Sequence, residues 1–189
     1  MIHRFISGDE IPDVVVDTSW NSYPSSCLIK TYYAIYRPFL EYVQPKADGQ
    51  VPCEEGIDDG YISSRLSCLA IENNIYIGAN FGTVVPGCEY CNHGGECYYN
   101  TNVVFSSNGS IVGVYHKYNL WTTELTKYDI DSSPQPQLVT VDTEFGVLGL
   151  SVCEDLLWKS PTVDLVTEKG RDLKSLGNGN FDPKKTFNF

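Results

Sequence analysis

A chain of 189 residues is long enough for one domain with a sizeable core, and its 42% hydrophobic and 20% charged residues are ordinary globular values that exclude a disordered polyelectrolyte. The net charge of -11 repels phosphate backbones and anionic lipid surfaces, and no basic patch is segregated against it, so nucleic acid is not expected as a partner. No run approaches the roughly 18 apolar residues of a bilayer span, and the start MIHRFISGDEIPD lacks the apolar core of a secretory signal.

In chain order, the first expected element is DVVV, Asp13 to Val16, a β-branched run bounded by Pro12 and by polar residues. The following SCLIKTYYAIYRPFLEYV has mixed periodicity, and Pro38 argues against one uninterrupted helix, so it reads as irregular. Tyr61 to Asn74 reads as a helix, with Leu66, Leu69 and Ala70 at helical spacing and Asn73 and Asn74 as stop signals. A strand is expected in IYIGANFG, then a cysteine- and glycine-rich loop from Val84 to Cys97.

Two β-rich runs flank Asn108-Gly109, a dipeptide that tolerates the positive φ angles of a tight hairpin turn, and the hairpin delivers YHKYNLW at its far end. After the polar loop SSPQPQ comes a second pair of strands in QLVTVDTEFGVLGLSVCED. The later one has too few polar positions to face water and should be central in its sheet. DLLWKSPTVDLV reads as helical or mixed material interrupted by Pro161, and residues 167–189 lose periodicity and are expected to be an unanchored tail.

Three reactive groups fall at the ends of these elements. Lys117 follows the hairpin strand, Glu124 comes seven residues later, and Cys153 stands at the carboxyl end of the apolar strand, where ligands of α/β sheets usually bind. A thiol in that position beside an ammonium has the makings of a nucleophile with an oxyanion stabiliser. Taken singly, each residue has a plainer reading: free cysteine is among the most buried residue types, and a strand-end lysine or a loop glutamate is usually solvated.

The segments RLSCLAIENNIYIGANFG, YNTNVVFSSNGSIVGVYHKYNLW and VDTEFGVLGLSVCEDLLWKSPTVDLV together resemble the vanin/biotinidase branch of the nitrilase-type carbon–nitrogen hydrolases, over roughly residues 51–166. The resemblance implies an α/β fold, a nitrilase-like αββα sandwich, here incomplete. It also implies hydrolysis of a linear amide of the pantetheine or biotinyl kind through a Glu-Lys-Cys triad, with no cofactor and no metal. By position, Cys153 matches the nucleophile, Lys117 the oxyanion-stabilising lysine of YHKYNL, and Glu124 a supporting glutamate, although Thr123 stands where a glycine usually precedes it. The implied division is a divergent segment 1–50, a partial hydrolase domain 51–166 and the tail 167–189.

Two departures accompany the resemblance. The first triad glutamate has no match: three candidate registers put Ser19, Tyr23 or Tyr32 at its position, and between Glu10 and Glu41 the carboxylates are Asp13 and Asp17. The family also carries a long further stretch after its nucleophile. An inactive remnant of the family, acting as a secreted binding protein or a fragment that does not fold alone, is therefore the alternative to an active amidohydrolase.

The seven cysteines (27, 53, 68, 88, 91, 97 and 153) are many for a reducing compartment, and an odd number leaves one thiol over. On spacing, Cys88, Cys91, His93 and Cys97 resemble a zinc loop. The family resemblance favours disulfides there and for Cys53 and Cys68, and with them an extracellular or membrane-anchored location. Asn108 opens a glycosylation sequon in NGS, which doubles as the hairpin turn. Glu54, Glu55, Asp58 and Asp59 read as solvated loop charge rather than a calcium site. The expected partner is a small-molecule amide; the oligomeric state is not legible.

Overall fold

The structure, a computed structural model, describes residues 3–4, 40–43, 51–54, 62–87, 95–126, 130–169 and 173–176. The expected strand at Asp13 to Val16 lies outside them, as do Cys27, Cys88, Cys91 and His93.

The described chain is an α/β arrangement of two sheets and flanking helices. Strands β1 (His3–Arg4), β2 (Ile77–Pro86), β3 (Glu96–Phe105) and β4 (Ile111–His116) form one antiparallel sheet in that order. Strands β5 (Thr140–Thr143), β6 (Gly146–Leu150) and β7 (Leu173–Leu176) form the other, with β5 antiparallel and β7 parallel to the central β6. Helix α1 runs over Ile62–Asn73, α2 over Thr122–Thr126 and α3 over Asp164–Lys169.

The alternation of side chains along β3 explains the layering. Val103 and Phe105 point to one face and join Leu66 and Ala70 of α1, with Ile77, Ala79 and Val43, in one apolar cluster. Val104 points the other way and joins Tyr115, Val141, Leu148, Leu150 and Val152 in a second cluster between the two sheets. Helix, sheet and sheet are thus stacked, and α3 lies against β7.

The start of α1 is fixed by a residue distant in sequence. Glu41, buried and paired in a parallel bridge with Thr83 of β2, accepts from Ile62 N–H, from Ser63 N–H (3.0 Å) and from the Ser63 hydroxyl. A carboxylate there satisfies donors that the first helical turn leaves open and sits at the positive end of its dipole. Cys53 and Cys68 form a disulfide that ties α1 to the segment before it, and Cys97 is also disulfide-bonded.

Three expectations are corrected. The region after IYIGANFG does not become a loop at Val84: the strand continues to Pro86 and pairs in unbroken register with β3 down to Glu96. The hairpin turn is wider than a two-residue turn. Only Gly109 has positive φ (+83°), and Gly109 N–H donates to Ser106 C=O (2.8 Å) while Ser106 N–H donates to Ser110 C=O (2.9 Å). This is a type I turn followed by a left-handed glycine. Finally, the tail expected over 167–189 is anchored at Leu173–Leu176, which adds β7 to the second sheet.

Candidate active site

The site lies where β4 and β6 end. Lys117 is the residue after β4 and is buried (1% exposed), with its N–H donating to Asn100 C=O (2.9 Å) and its C=O accepting from Ser133 N–H (3.2 Å). Its Nζ lies 2.5 Å from Glu124 Oε2. A buried ammonium needs such a partner, because burial without one costs far more than a surface ion pair returns.

Glu124 is placed by the short helix α2, whose first turn it occupies. Its Oε2 also accepts from Trp121 N–H (2.7 Å), and its Oε1 accepts from Asn100 Nδ2 (2.6 Å), which is itself oriented by Asn80 Nδ2 donating to Asn100 Oδ1 (2.8 Å). Both oxygens are therefore committed. Glu124 is arranged to hold Lys117 rather than to move a proton.

Cys153 stands three residues past the end of β6 and is exposed, and it is the free thiol among the described residues. Its φ of +46° is left-handed, a conformation that costs a non-glycine residue of order 1 kcal/mol and recurs at functional turns. Sequence and backbone together make a sharp strand-to-helix elbow: extended Val152, left-handed Cys153, then a 3₁₀ turn over Cys153–Leu157.

Lys117 and Cys153 belong to different chain segments, and one carboxylate joins them. Asp155 is fully buried and accepts from Tyr115 Oη (2.8 Å), Asn119 N–H (2.8 Å), Asn119 Nδ2 (2.9 Å) and Val152 N–H (3.0 Å). Burial, and then the Asp155 charge, raise the pKa of the Tyr115 phenol, so Tyr115 is a donor in this network. Asp155 and Glu41 are not legible as site or anchoring residues in the sequence alone. Neither carries a local signal, since their burial arises only when distant strands meet.

His116, beside Lys117, points away from this network. It is hydrogen-bonded to Thr101 Oγ1 (2.9 Å) and stacked on Tyr99 with ring centroids 4.4 Å apart, and burial lowers its pKa to about 4. The neutral imidazole is part of the packing. Asp13 and Asp17, the carboxylates between Glu10 and Glu41, lie outside the described residues. No helix among the described residues is long and apolar enough to cross a membrane.

The family model described as carbon-nitrogen hydrolase matches residues 32–173. The pantetheinase of Mus musculus is 38% identical over 136 residues, 69% of this chain and 26% of that protein. The biotinidase of Takifugu rubripes is 40% identical over 142 residues, 70% of this chain and 27% of the relative. The chain therefore spans about a quarter of the length of these curated relatives. Among solved structures, a carbon-nitrogen hydrolase from Helicobacter pylori G27 is similar at 20% identity with a TM-score of 0.48, over 83% of this chain and 54% of that one.

Proposed function

The chain belongs to the carbon–nitrogen hydrolase family, and on that premise we propose that it is built to cleave a linear amide of the pantetheine or biotinyl kind through Cys153. The observation that carries the reading is the exposed thiol on a left-handed elbow, tied through Asp155 to the segment that bears the paired, buried Lys117. In this reading the Cys153 thiolate attacks the amide carbonyl and the Lys117 ammonium stabilises the oxyanion. The C–N bond then breaks, the amine leaves with a proton, and water hydrolyses the thioester to release the acid.

Thiol deprotonation and amine protonation require one more acid–base group. Glu124 is occupied by Lys117, Trp121 and Asn100, and Glu41 by α1. Asp17 is the carboxylate the sequence offers, on a shorter side chain than the family's glutamate. This gap favours a second reading, an inactive relative that keeps the nucleophile elbow and binds without turnover. Disulfide bonding of Cys53, Cys68 and Cys97 supports an oxidising, extracellular or membrane-anchored location in either case.

The test is amine release from pantetheine together with chloromethyl ketone labelling. Release that disappears in Cys153→Ala, with label on Cys153, establishes the amidohydrolase. Label on Cys153 without release, in protein that unfolds cooperatively, establishes the inactive relative. An unlabelled Cys153 in folded protein with no release sinks the site.

A further inference from the structure

Asp155 does more than cap a turn. Of the four donors that meet its carboxylate, only Val152 N–H is local; Tyr115 Oη and the two Asn119 donors come from 40 and 36 residues away in sequence. Tyr115 and Asn119 straddle Lys117, two residues to either side, and Val152 immediately precedes Cys153. A carboxylate offers about four acceptor positions, and here all four are used, so a group with no solvent contact is fully satisfied. Its main chain extends the same link: Trp158 N–H (3.2 Å) and Thr162 Oγ1 (2.8 Å) both donate to Asp155 C=O, and Asn119 Nδ2 also donates to Ser160 C=O (2.8 Å).

We propose that Asp155 is a positioning residue that sets the geometry between the Cys153 thiol and the Lys117 ammonium. The proposal rests on the reading above that these two groups form one site. Reactive pairs tolerate errors of only about half an ångström, and both groups here stand on backbone that turns sharply just after a strand. A shared buried acceptor fixes one turn against the other. Apolar packing alone would leave the two free to slide.

Asp155→Asn is the informative change because of its polarity, not its size. Whichever way the amide is turned, its NH₂ faces groups that are themselves donors: Asn119 N–H and Nδ2 on one side, Val152 N–H on the other. The network therefore loosens while the shape is kept.

The readout is the rate of iodoacetamide alkylation at Cys153, located by peptide mass, measured across pH on the full chain. In the wild-type chain Lys117→Met is expected to slow alkylation at neutral pH by about tenfold. Asp155→Asn is expected to slow it by a similar factor, and Lys117→Met is expected to add little in the Asp155→Asn background. A purely structural residue would lower the melting temperature yet leave the alkylation profile of the folded protein and its Lys117 dependence unchanged, and that result overturns the proposal.

Tyr115→Phe and Asn119→Ala each remove a donor side chain while leaving the carboxylate. They are expected to slow alkylation in the same direction, which keeps the idea open to refutation even where Asp155→Asn does not fold. If Lys117→Met leaves the wild-type rate unchanged, the shared site itself is wrong. Sensitivity to Lys117 with wild-type profiles in Asp155→Asn, Tyr115→Phe and Asn119→Ala sinks the role of Asp155 alone.

Discussion

A lysine 1% exposed beside a committed glutamate is a costly arrangement unless both partners stay. Glu124→Gln keeps the shape around Asn100 and Trp121 but leaves the Lys117 ammonium buried without its counter-charge. Loss of one partner of a buried pair costs about 3–5 kcal/mol, whereas removing both costs much less. Urea unfolding should therefore show Glu124→Gln strongly destabilised and Glu124→Gln/Lys117→Met recovering a good part of the loss; equal loss in the two variants would mean that the pair carries no stability. The ion pair of Lys117 with Glu124 and the free thiol of Cys153 fall on residues that the sequence already singles out, by their places at strand ends. Asp155 is not singled out, because in CED two adjacent carboxylates look alike and only the fold tells them apart: Glu154 is part-exposed and Asp155 is at the junction of two sheets.

At the scale of elements, the β4–β6 contact decides how closely the two halves of the site approach. A Cβ on Gly113 would lie 2.5 Å from Val141 Cγ2 and 3.1 Å from Leu150 Cδ1, so the sheets meet over a position that admits no side chain. Gly113→Ala should force them apart and cost about 1–3 kcal/mol by overpacking, read as a lower urea midpoint with an unchanged slope. Ser151, at the end of β6, presents the opposite case: its buried Oγ has no hydrogen-bond partner among the described residues. Ser151→Ala should remove a desolvation penalty and raise stability by about 1 kcal/mol in the same measurement; a lower midpoint would show that the hydroxyl has a partner after all.

The same strands carry a pH dependence. His116 is held neutral, with its pKa lowered to about 4 from the ordinary 6.5, so below pH 6.5 the unfolded chain takes up a proton that the folded chain refuses. Stability from this residue is complete above about pH 6.5 and is lost as pH falls toward 4, by up to about 3 kcal/mol. Carboxylates titrate near the lower end of that window, so the comparison is with His116→Gln: between pH 6.5 and 5 the variant's unfolding free energy should fall less steeply than the wild type's, and parallel curves would refute the assignment. The strands around this histidine were well forecast by their β-branched runs and by Asn108-Gly109. The turn type was not, since a dipeptide signals a turn without counting its residues, and β7 was missed because four residues whose partner is a parallel strand far back in sequence leave no local period.

For the molecule as a whole, α1 is the cover of the first sheet, and little of what holds it is its own propensity. It is fastened at its start by Glu41, in its middle by the Ser67 hydroxyl donating to Gly109 C=O (2.7 Å), and beside that by the Cys53–Cys68 disulfide. Gly109 has positive φ and abuts Ile71 and Ser67 Oγ, each 2.8 Å from where a Cβ would be, so the hairpin tip and the helix fit one another directly. A helix of 12 residues is marginal alone, which makes these ties matter. The disulfide closes a loop of sequence separation 15, for which the chain-entropy estimate is about 3 kcal/mol. Cys53→Ser/Cys68→Ser should accordingly lower the unfolding free energy by about that amount. Because the bond lies on the α1 side of the first sheet and Cys153 at the end of β6 in the second, the alkylation rate of Cys153 in the folded variant should stay at the wild-type value. A large loss of Cys153 reactivity together with retained near-ultraviolet dichroism would instead mean that the helix layer and the elbow are coupled through the sheets.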